Sequence, residues 1–599
     1  MDDNKRHVCC QQFPQALQKG FQELWEDRTL CDVELCAENE TFAAHRSVLA
    51  AASHYFRIMF TADMLERSMQ SVALKGISAV GLKTALHFIY TSRFSCEWEH
   101  LEDVLLTSTH LQIPLLTDSC DKLMQKSLKS DNFSDMLSFA DRYSLPKLKV
   151  ETFSFISHNL DQLLAEQESA LLQLDFESVL EILGRNDITS NVNEGRILDF
   201  AVKWLTFDLD NRLCHLDKLI KEVRLGLLCS PECYNGNCEA LDILRSVPGA
   251  EKYIKELGDF CLKFNFDSPY KNWLQIRSTQ KGVLAVCGKT AGSQECREIM
   301  VFTGEEVFRQ DSWRPITQTE GTYNHCAVVL NDYLYVIGGQ NSWFNHNHED
   351  EATATVRRYD PRFDRWIRLT NMQVRRRRFH CSVLGSSIYA VGGRGEGGIL
   401  CSTERYDPSE DKWEYVRALP CPLSSHAGAV CQNKLFVSGG SSGEVFTNSV
   451  YSYDPERSEW TIHSPLHHPR GFHSMTAVHG RLYVMGGVII TGVEGQRRTY
   501  SDVKVTECYC PVTDQWTELT HLPVGHSQHG AAALGNKIYI IGGFSWNEEG
   551  FLKNVHAYDT ESDSWSAGPE LPRPLVGLSS GVLTLPYYLS KKNDVLEPL

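Results

Sequence analysis

Along the second half of the chain, short apolar runs stop at paired glycines with a regular beat. LYVIGG (334–339), IYAVGG (388–393), LFVSGG (435–440), LYVMGG (482–487) and IYIIGG (538–543) share this form, and VLAVCG (283–288) is a degenerate sixth copy. A β-branched and aromatic run ended by glycine reads as a strand entering a tight turn. Further along each copy a second strand ends in a turn: YDP at 359, 406 and 453, YCP at 509 and YDT at 558. A tryptophan closes each copy, giving Trp313, Trp366, Trp413, Trp460, Trp516 and Trp565. A period of about fifty residues with four strands per copy predicts a propeller of four-stranded sheets around an axis. Copy one lacks its leading strand, and an unpaired apolar run, GLSSGVLTL (577–585), follows the last tryptophan. The C-terminal strand is therefore expected to complete blade one and close the ring, leaving no open edge.

The first half has different periods. CDVEL (31–35) and TFAAH (41–45) alternate like half-buried strands. RSVLAAASHYFRIMF (46–60) carries Val48, Leu49, Ala52, Phe56, Met59 and Phe60 on one helical stripe. An earlier helix puts Phe13, Leu17, Phe21 and Leu24 on one face, outside the strand–helix core, where it needs a partner surface. From about residue 130 to 265 the periodicity is helical, as in FSDMLSFADRYSL (133–145), DFESVLEIL (175–183) and EGRILDFAVKWLTFD (194–208). FDSPYKNW (266–273) reads as a linker.

CDVEL, FAAHRSVLAAASHYFRIMFTADMLE (42–66) and LHFIYTSRF (86–94) resemble the BTB fold of the Kelch-like adaptor family. The helical stretch is similar to that family's three-box and BACK region, down to Glu194, Trp204, Arg212 and VRLGLL (223–228), and the repeats match kelch blades. The resemblance implies a multidomain chain. An α/β BTB domain with its leading helix spans 1–128, and an all-α three-box and BACK domain spans 129–265. A linker covers 266–281, an all-β six-bladed kelch propeller 282–586, and a tail 587–599. It further implies a homodimer through the leading helix, with Asp32 and Arg46 at the family's buried charged positions near the dimer interface, where a paired core ion is expected. The family's cullin-3 contact is a hydrophobic residue, any residue, then glutamate; here this is Met64–Leu65–Glu66, beside Ile58, Met59 and Phe60.

The formal charge of −17 over 599 residues argues against a general polyanion binder. The acidic, polar start MDDNKRHVCC lacks an apolar stretch, so no secretory signal is expected, and no apolar run is long enough to span a bilayer. Twenty cysteines in such a chain are expected as reduced thiols, in the cytoplasm or also the nucleus, and Cys9–Cys10 does not extend into a zinc pattern.

Neither a GxxxxGK[ST] phosphate loop nor an HExxH zinc helix occurs. His325, His380, His426, His473 and His529 recur with the repeat, and a residue repeated in five blades is framework more readily than catalyst. SWFNHNHEDE (342–351) gathers His346, His348, Glu349 and Asp350, but in a loop where such residues are ordinarily solvated; no metal or cofactor is expected.

Counting back from the strands puts Tyr323–Asn324, Arg377–Arg378, Ser424–Ser425, Gly471–Phe472 and Ser527–Gln528 at equivalent loop positions. Family resemblance makes these, with Trp343, Arg394, Ser441, Val488, Phe544 and Trp546 after the glycines, the substrate contacts. The run VRRRRFHC (374–381) falls in one such loop: Arg377, Arg378 and Arg394 suit carboxylates, while Trp343, Phe472, Phe544 and Trp546 offer apolar anchors. Nucleic acid would need basic residues repeated around the face. The expected protein is a non-catalytic substrate adaptor of a cullin-3 RING ubiquitin ligase whose client presents an acidic or mixed apolar–acidic segment. A cytoskeletal, actin-binding or scaffolding kelch protein is the alternative.

Overall fold

The structure, a computed structural model, describes residues 13–188, 193–228, 239–263, 271–292, 295–303, 312–340, 352–443, 445–494, 497–586 and 589. Two compact units divide the chain after Leu174, inside the helical stretch expected as one domain.

In the first unit, α1 (Phe13–Glu26) precedes β1 (Val33–Ala37) and β2 (Glu40–Ala44). β1 pairs antiparallel with β2 and parallel with β3 (Ser71–Ala73). Alternation sends Val33, Leu35 and Ala37 into the core and Glu34 outward. The long helix expected over 46–60 is two helices, α2 (Arg46–Ala52) and α3 (His54–Thr61). Ser53 between them is extended, with φ −135° and ψ 128°; its hydroxyl accepts the Phe56 N–H at 3.1 Å and donates to the Leu111 carbonyl at 2.5 Å. The capping hydroxyl starts a new helix without shifting the apolar stripe. α4 (Ala79–Thr91) packs beside α1, where Trp25 stacks on Tyr90 at 4.7 Å. Further helices run to Leu172.

The second unit begins with helices Phe176–Gly184, Glu194–Phe207 and Leu216–Glu222. The buried Glu194 carboxylate accepts two bonds from Arg277, at 2.8 and 2.9 Å, and one from the Arg224 N–H at 2.6 Å. Arg277 also donates to the carbonyls of Leu183, Arg185 and Glu222. Arg212 donates to the Trp204 carbonyl at 2.9 Å and lies 4.2 Å over its ring. The linker reading fails for the described part of that segment: Trp273 is fully buried and its indole donates to the Ile220 carbonyl at 3.0 Å. Arg362 of the propeller binds the Leu274 carbonyl at 2.8 Å. Residues 271–278 are therefore a packed clasp.

Six four-stranded antiparallel sheets follow. Blade one joins Lys281–Val286, Glu298–Thr303 and Arg314–Gln318 to the C-terminal Ser579–Thr584, which is its innermost strand, as expected. The other innermost strands are Cys326–Leu330, His380–Leu384, Ala427–Cys431, Ser474–Val478 and Gly530–Leu534, each beside the next, and the last beside Ser579–Thr584. The tryptophans join blades: the Trp413, Trp460, Trp516 and Trp565 indoles donate to backbone carbonyls of the preceding blade's outer edge at 2.8–3.0 Å. Trp313 reaches Pro569 at 2.7 Å, across the closure. An indole set between sheets with its N–H satisfied holds both neighbours by packing and by direction.

Candidate functional site

Two surfaces carry the predicted residues. On the first unit, α3 turns Phe56, Met59 and Phe60 inward, so Met59 and Phe60 are core residues beneath the surface where docking side chains were expected. Ile58 (42% exposed), Met64 (47%) and Leu65 (78%) face outward with Met69, and Glu66 is half-buried among them. Leu65, the motif's unspecified position, is the most exposed of this strip, and its only sequence signal is that it is apolar. The core ion pair expected of Asp32 and Arg46 is not formed. Asp32 is exposed and its carboxylate caps α2 by accepting the Arg46 N–H at 2.8 Å. The Arg46 guanidinium donates to the carbonyls of Glu66 (3.2 Å), Arg67 (2.9 Å) and Met69, and lies 4.8 Å over the Phe60 ring. One side chain thus pins the whole 66–69 loop.

Phe13 (63% exposed) and Leu17 (50%) line α1, with Phe21 and Leu24 half-buried. A groove of about 440 Å³ runs beside them, lined by Leu17, Phe21, Val48, Ala51, Ile89 and Tyr90.

On the propeller, the two loop sets converge as their spacing predicts. Tyr323 pairs with Gln340, Arg377 with Arg394, Ser424 with Ser441, Gly471 with Val488 and Ser527 with Phe544, each pair exchanging two backbone hydrogen bonds of 2.7–3.1 Å. The second glycine of each pair has φ near +90° to +98°, and a Cβ there would strike backbone of the partner loop. Trp343 and the cluster His346, His348, Glu349 and Asp350 lie outside the described residues. Among the described residues no group of three His, Cys, Asp or Glu is placed to hold a metal ion.

The next residues, Asn324, Arg378, Ser425, Phe472, Gln528 and Gly577, all have positive φ, between 50° and 65°. Each donates its N–H to the carbonyl of the one before, at 2.8–3.0 Å, closing a ring of six backbone hydrogen bonds around the axis. Beneath it lie His325, Phe379, His426, His473, His529 and Leu578, and the two tiers line a pocket of about 100 Å³. His380 leaves the recurring histidine position to Phe379 and starts its strand instead. Burial pushes the imidazoles down, to about 3 for His325 and His529 and about 4 for His426, so they are neutral.

The four arginines part company. Arg375 is exposed and pairs with Glu396 at 2.6 Å. Arg376 is wholly buried; it pairs with the equally buried Glu404 at 2.9 Å and donates to the carbonyls of Gly392 and Ser402. Arg470 and Glu507 repeat this pair in blade five. Arg377 and Arg378 are half-buried on the face, where Arg377 donates to Gln340 at 3.3 Å and Arg378 lies 5.2 Å from the Phe472 ring. Arg394 is exposed beside them.

Gln340, Phe446 and Tyr500 complete this face and were not anticipated. Gln340 had a signal, because it follows its glycines at the same offset as Arg394 and Phe544. Tyr500 comes from a long hairpin, Val488–Glu494 with Arg497–Asp502, an insertion that breaks the repeat count. Phe446 meets Phe472 at 6.0 Å and Tyr500 at 6.4 Å; Tyr500 meets Trp546 at 4.5 Å, and Trp546 meets Phe544 at 5.2 Å. The buried Asp502 carboxylate fixes Trp546 by accepting the N–H groups of Trp546 and Asn547, both at 3.1 Å.

Comparison with known proteins assigns residues 21–128 to the BTB/POZ domain and 134–234 to the BTB And C-terminal Kelch domain. Residues 283–547 match the Attractin/LZTR1 beta-propeller and 525–572 the Kelch motif. Mouse Kelch-like protein 9 is 40% identical over 95% of this chain and 90% of its own length. Human Kelch-like protein 13 is 40% identical over 95% and 85% of the two chains, and human Kelch-like protein 31 is 38% identical over 96% and 89%. With its BTB, BACK and six-bladed kelch modules in this order, the chain belongs to the Kelch-like protein family.

Proposed function

We propose that this protein is the substrate-recognition adaptor of a cullin-3 RING ubiquitin ligase. Its BTB domain, paired with a second copy along α1, holds cullin-3, and its propeller holds the protein to be ubiquitinated. The observation that carries this reading is the exposed apolar strip of Ile58, Met64 and Leu65 beside Glu66, on a loop held rigid by Arg46. An apolar anchor with a carboxylate at its edge has the makeup of an interface hot spot, and a pre-shaped loop loses little entropy on docking. In this role the chain performs no bond chemistry and raises the local concentration of target lysines near a charged conjugating enzyme. Two propellers per dimer add avidity wherever one client reaches both.

Met64→Ala with Glu66→Ala is expected to abolish co-purification and direct titration of cullin-3 while leaving the dimer mass unchanged. Retained cullin binding would remove this loop from the proposal. An actin-bundling scaffold needs basic residues on several sectors of the propeller, and this face concentrates Arg377, Arg378 and Arg394 in one blade.

A further inference from the structure

We propose that the sector of the propeller face built by blades four to six, to one side of the axial mouth, docks a segment of a partner protein that carries a lysine or arginine beside an apolar residue. The cation lies against the rings of Trp546 and Tyr500, within reach of the Glu548 and Glu549 carboxylates, and the apolar residue packs on Phe446 and Val445. This deepens the reading of the propeller as the client-binding end and rests on it.

Three blades contribute to one aromatic wall. Phe446 of blade four meets Tyr500 of blade five at 6.4 Å, Tyr500 meets Trp546 of blade six at 4.5 Å, and Phe544 touches both Trp546 (5.2 Å) and Phe551 (5.4 Å). All five rings are half-buried, and Val445 beside Phe446 is 63% exposed. The wall is fixed from behind. Phe446 lies so close over Gly471 that a Cβ there would stand 2.3 Å from its ring. The Trp546 Nε1 is wholly buried, so the part of the indole side chain that reaches solvent is carbon. Rings held by one another and by backbone lose little freedom when a partner covers them, which makes such a surface a good anchor site.

Charge selects the guest. Glu548 and Glu549 stand exposed in the turn that begins at Trp546. The buried Asp502 carboxylate accepts the Ser545 hydroxyl at 2.7 Å and the N–H groups of Trp546 and Asn547. None of these three carboxylates is in an ion pair among the described residues. The faces of aromatic rings attract cations, that of Trp most strongly, so a cation over Trp546 gains from ring and carboxylates together. An acidic segment, the guest expected from the sequence, is repelled from this sector by both. Arg498, half-buried, is on the same face of its strand as Tyr500 and nearer the hairpin tip. It repels a second cation there and leaves the Trp546 end as the place for one. The two steps of 6.4 and 4.5 Å from Phe446 to Trp546 are within the reach of about three extended residues, so one short segment supplies both anchors.

The test is selection of short random peptides displayed on phage against the purified full-length chain, counter-selected on the Tyr500→Ser, Trp546→Ser variant. Peptides that bind the first and not the second are expected to carry Lys or Arg within about three positions of an apolar residue. Glu548→Gln with Glu549→Gln changes only exposed side chains. It should weaken one such peptide by about three- to tenfold and flatten the loss of its binding as sodium chloride is raised. Glu548→Lys with Glu549→Lys should turn the selection towards Asp or Glu. Trp546→Leu, which keeps an apolar contact, should weaken the peptide's basic preference more than its apolar one. Peptides of this class that lack a base or carry an acid in its place, an unchanged affinity and salt dependence in the Gln pair, or no peptide separated by the counter-selection would each overturn the proposal. Cullin-3 titration on the same preparations separates the two ideas. Lost cullin binding with the peptide pattern intact would sink only the ligase reading, and the converse would sink only this one.

Discussion

Arg376 shows what a run of identical residues conceals. Four adjacent arginines look equivalent in sequence, yet one is paired in solvent, one is sealed in the blade with Glu404, and two lie half-buried on the propeller face. The repeat located Arg377 and Arg378, because backbone position follows the period. Side-chain burial inside a loop has no period, and only the recurrence of Arg470 with Glu507 at matching offsets hinted at the sealed pair. Glu404→Ala strands a buried cation and should cost the propeller about 3–5 kcal/mol. Arg375→Ala breaks a solvent-exposed pair and should cost no more than about 1 kcal/mol. Urea unfolding followed by tryptophan fluorescence measures both, and equal shifts would contradict this division of the run. A similar limit hid the role of Arg46. Its charge is visible in sequence, but that it grips three carbonyls of the 66–69 loop depends on a turn that no pattern announces. Cys510 was likewise unmarked. It stands where the other copies have Asp360, Asp407, Asp454 and Asp559, and the Thr513 hydroxyl with the N–H groups of Thr513 and Val512 lowers its pKa.

Among elements, strands were more legible than helix ends. Strand identity came from runs cut by glycine, and closure by the C-terminal strand came from counting one strand too few at the start and one too many at the end. The break at Ser53 escaped because a one-residue interruption leaves the apolar stripe of α2 and α3 in phase. The closing strand carries more than its own length, since it pairs with Lys281–Val286 along six residues and supplies Gly577 to the ring at the mouth. Ending the chain after Val576 would expose the edge of Lys281–Val286, whose last five residues are buried. Such a chain should aggregate on size exclusion and lose its cooperative melt. A monodisperse product melting like the full chain would show that blade one does not need the strand.

For the molecule as a whole, composition suggested a tether between helices and propeller, and the structure has a clasp. FDSPYKNW has the polar, proline-bearing look of a connector, but the burial of Trp273 depends on partners far away in sequence, such as Ile220. The axial histidines set how the second unit responds to acid. Folded, His325, His426 and His529 stay neutral to about pH 3–4, whereas in an unfolded chain each takes a proton near pH 6.5. Their contribution is complete above about pH 6.5 and is lost as pH falls toward 4, because protons bind the unfolded state more strongly. The propeller's melting temperature should therefore drop steadily between those values; a rise on acidification would contradict neutral burial. The ring of six N–H···O bonds has one more consequence. Its frame is entirely main chain, so the letters written on it (Asn, Arg, Ser, Phe, Gln, Gly) can be exchanged without rewriting the sheets that hold them up. Left-handed backbone favours Gly, Asn and Asp and is most strained for β-branched residues, so the main chain that carries the six letters also bounds which of them can be swapped.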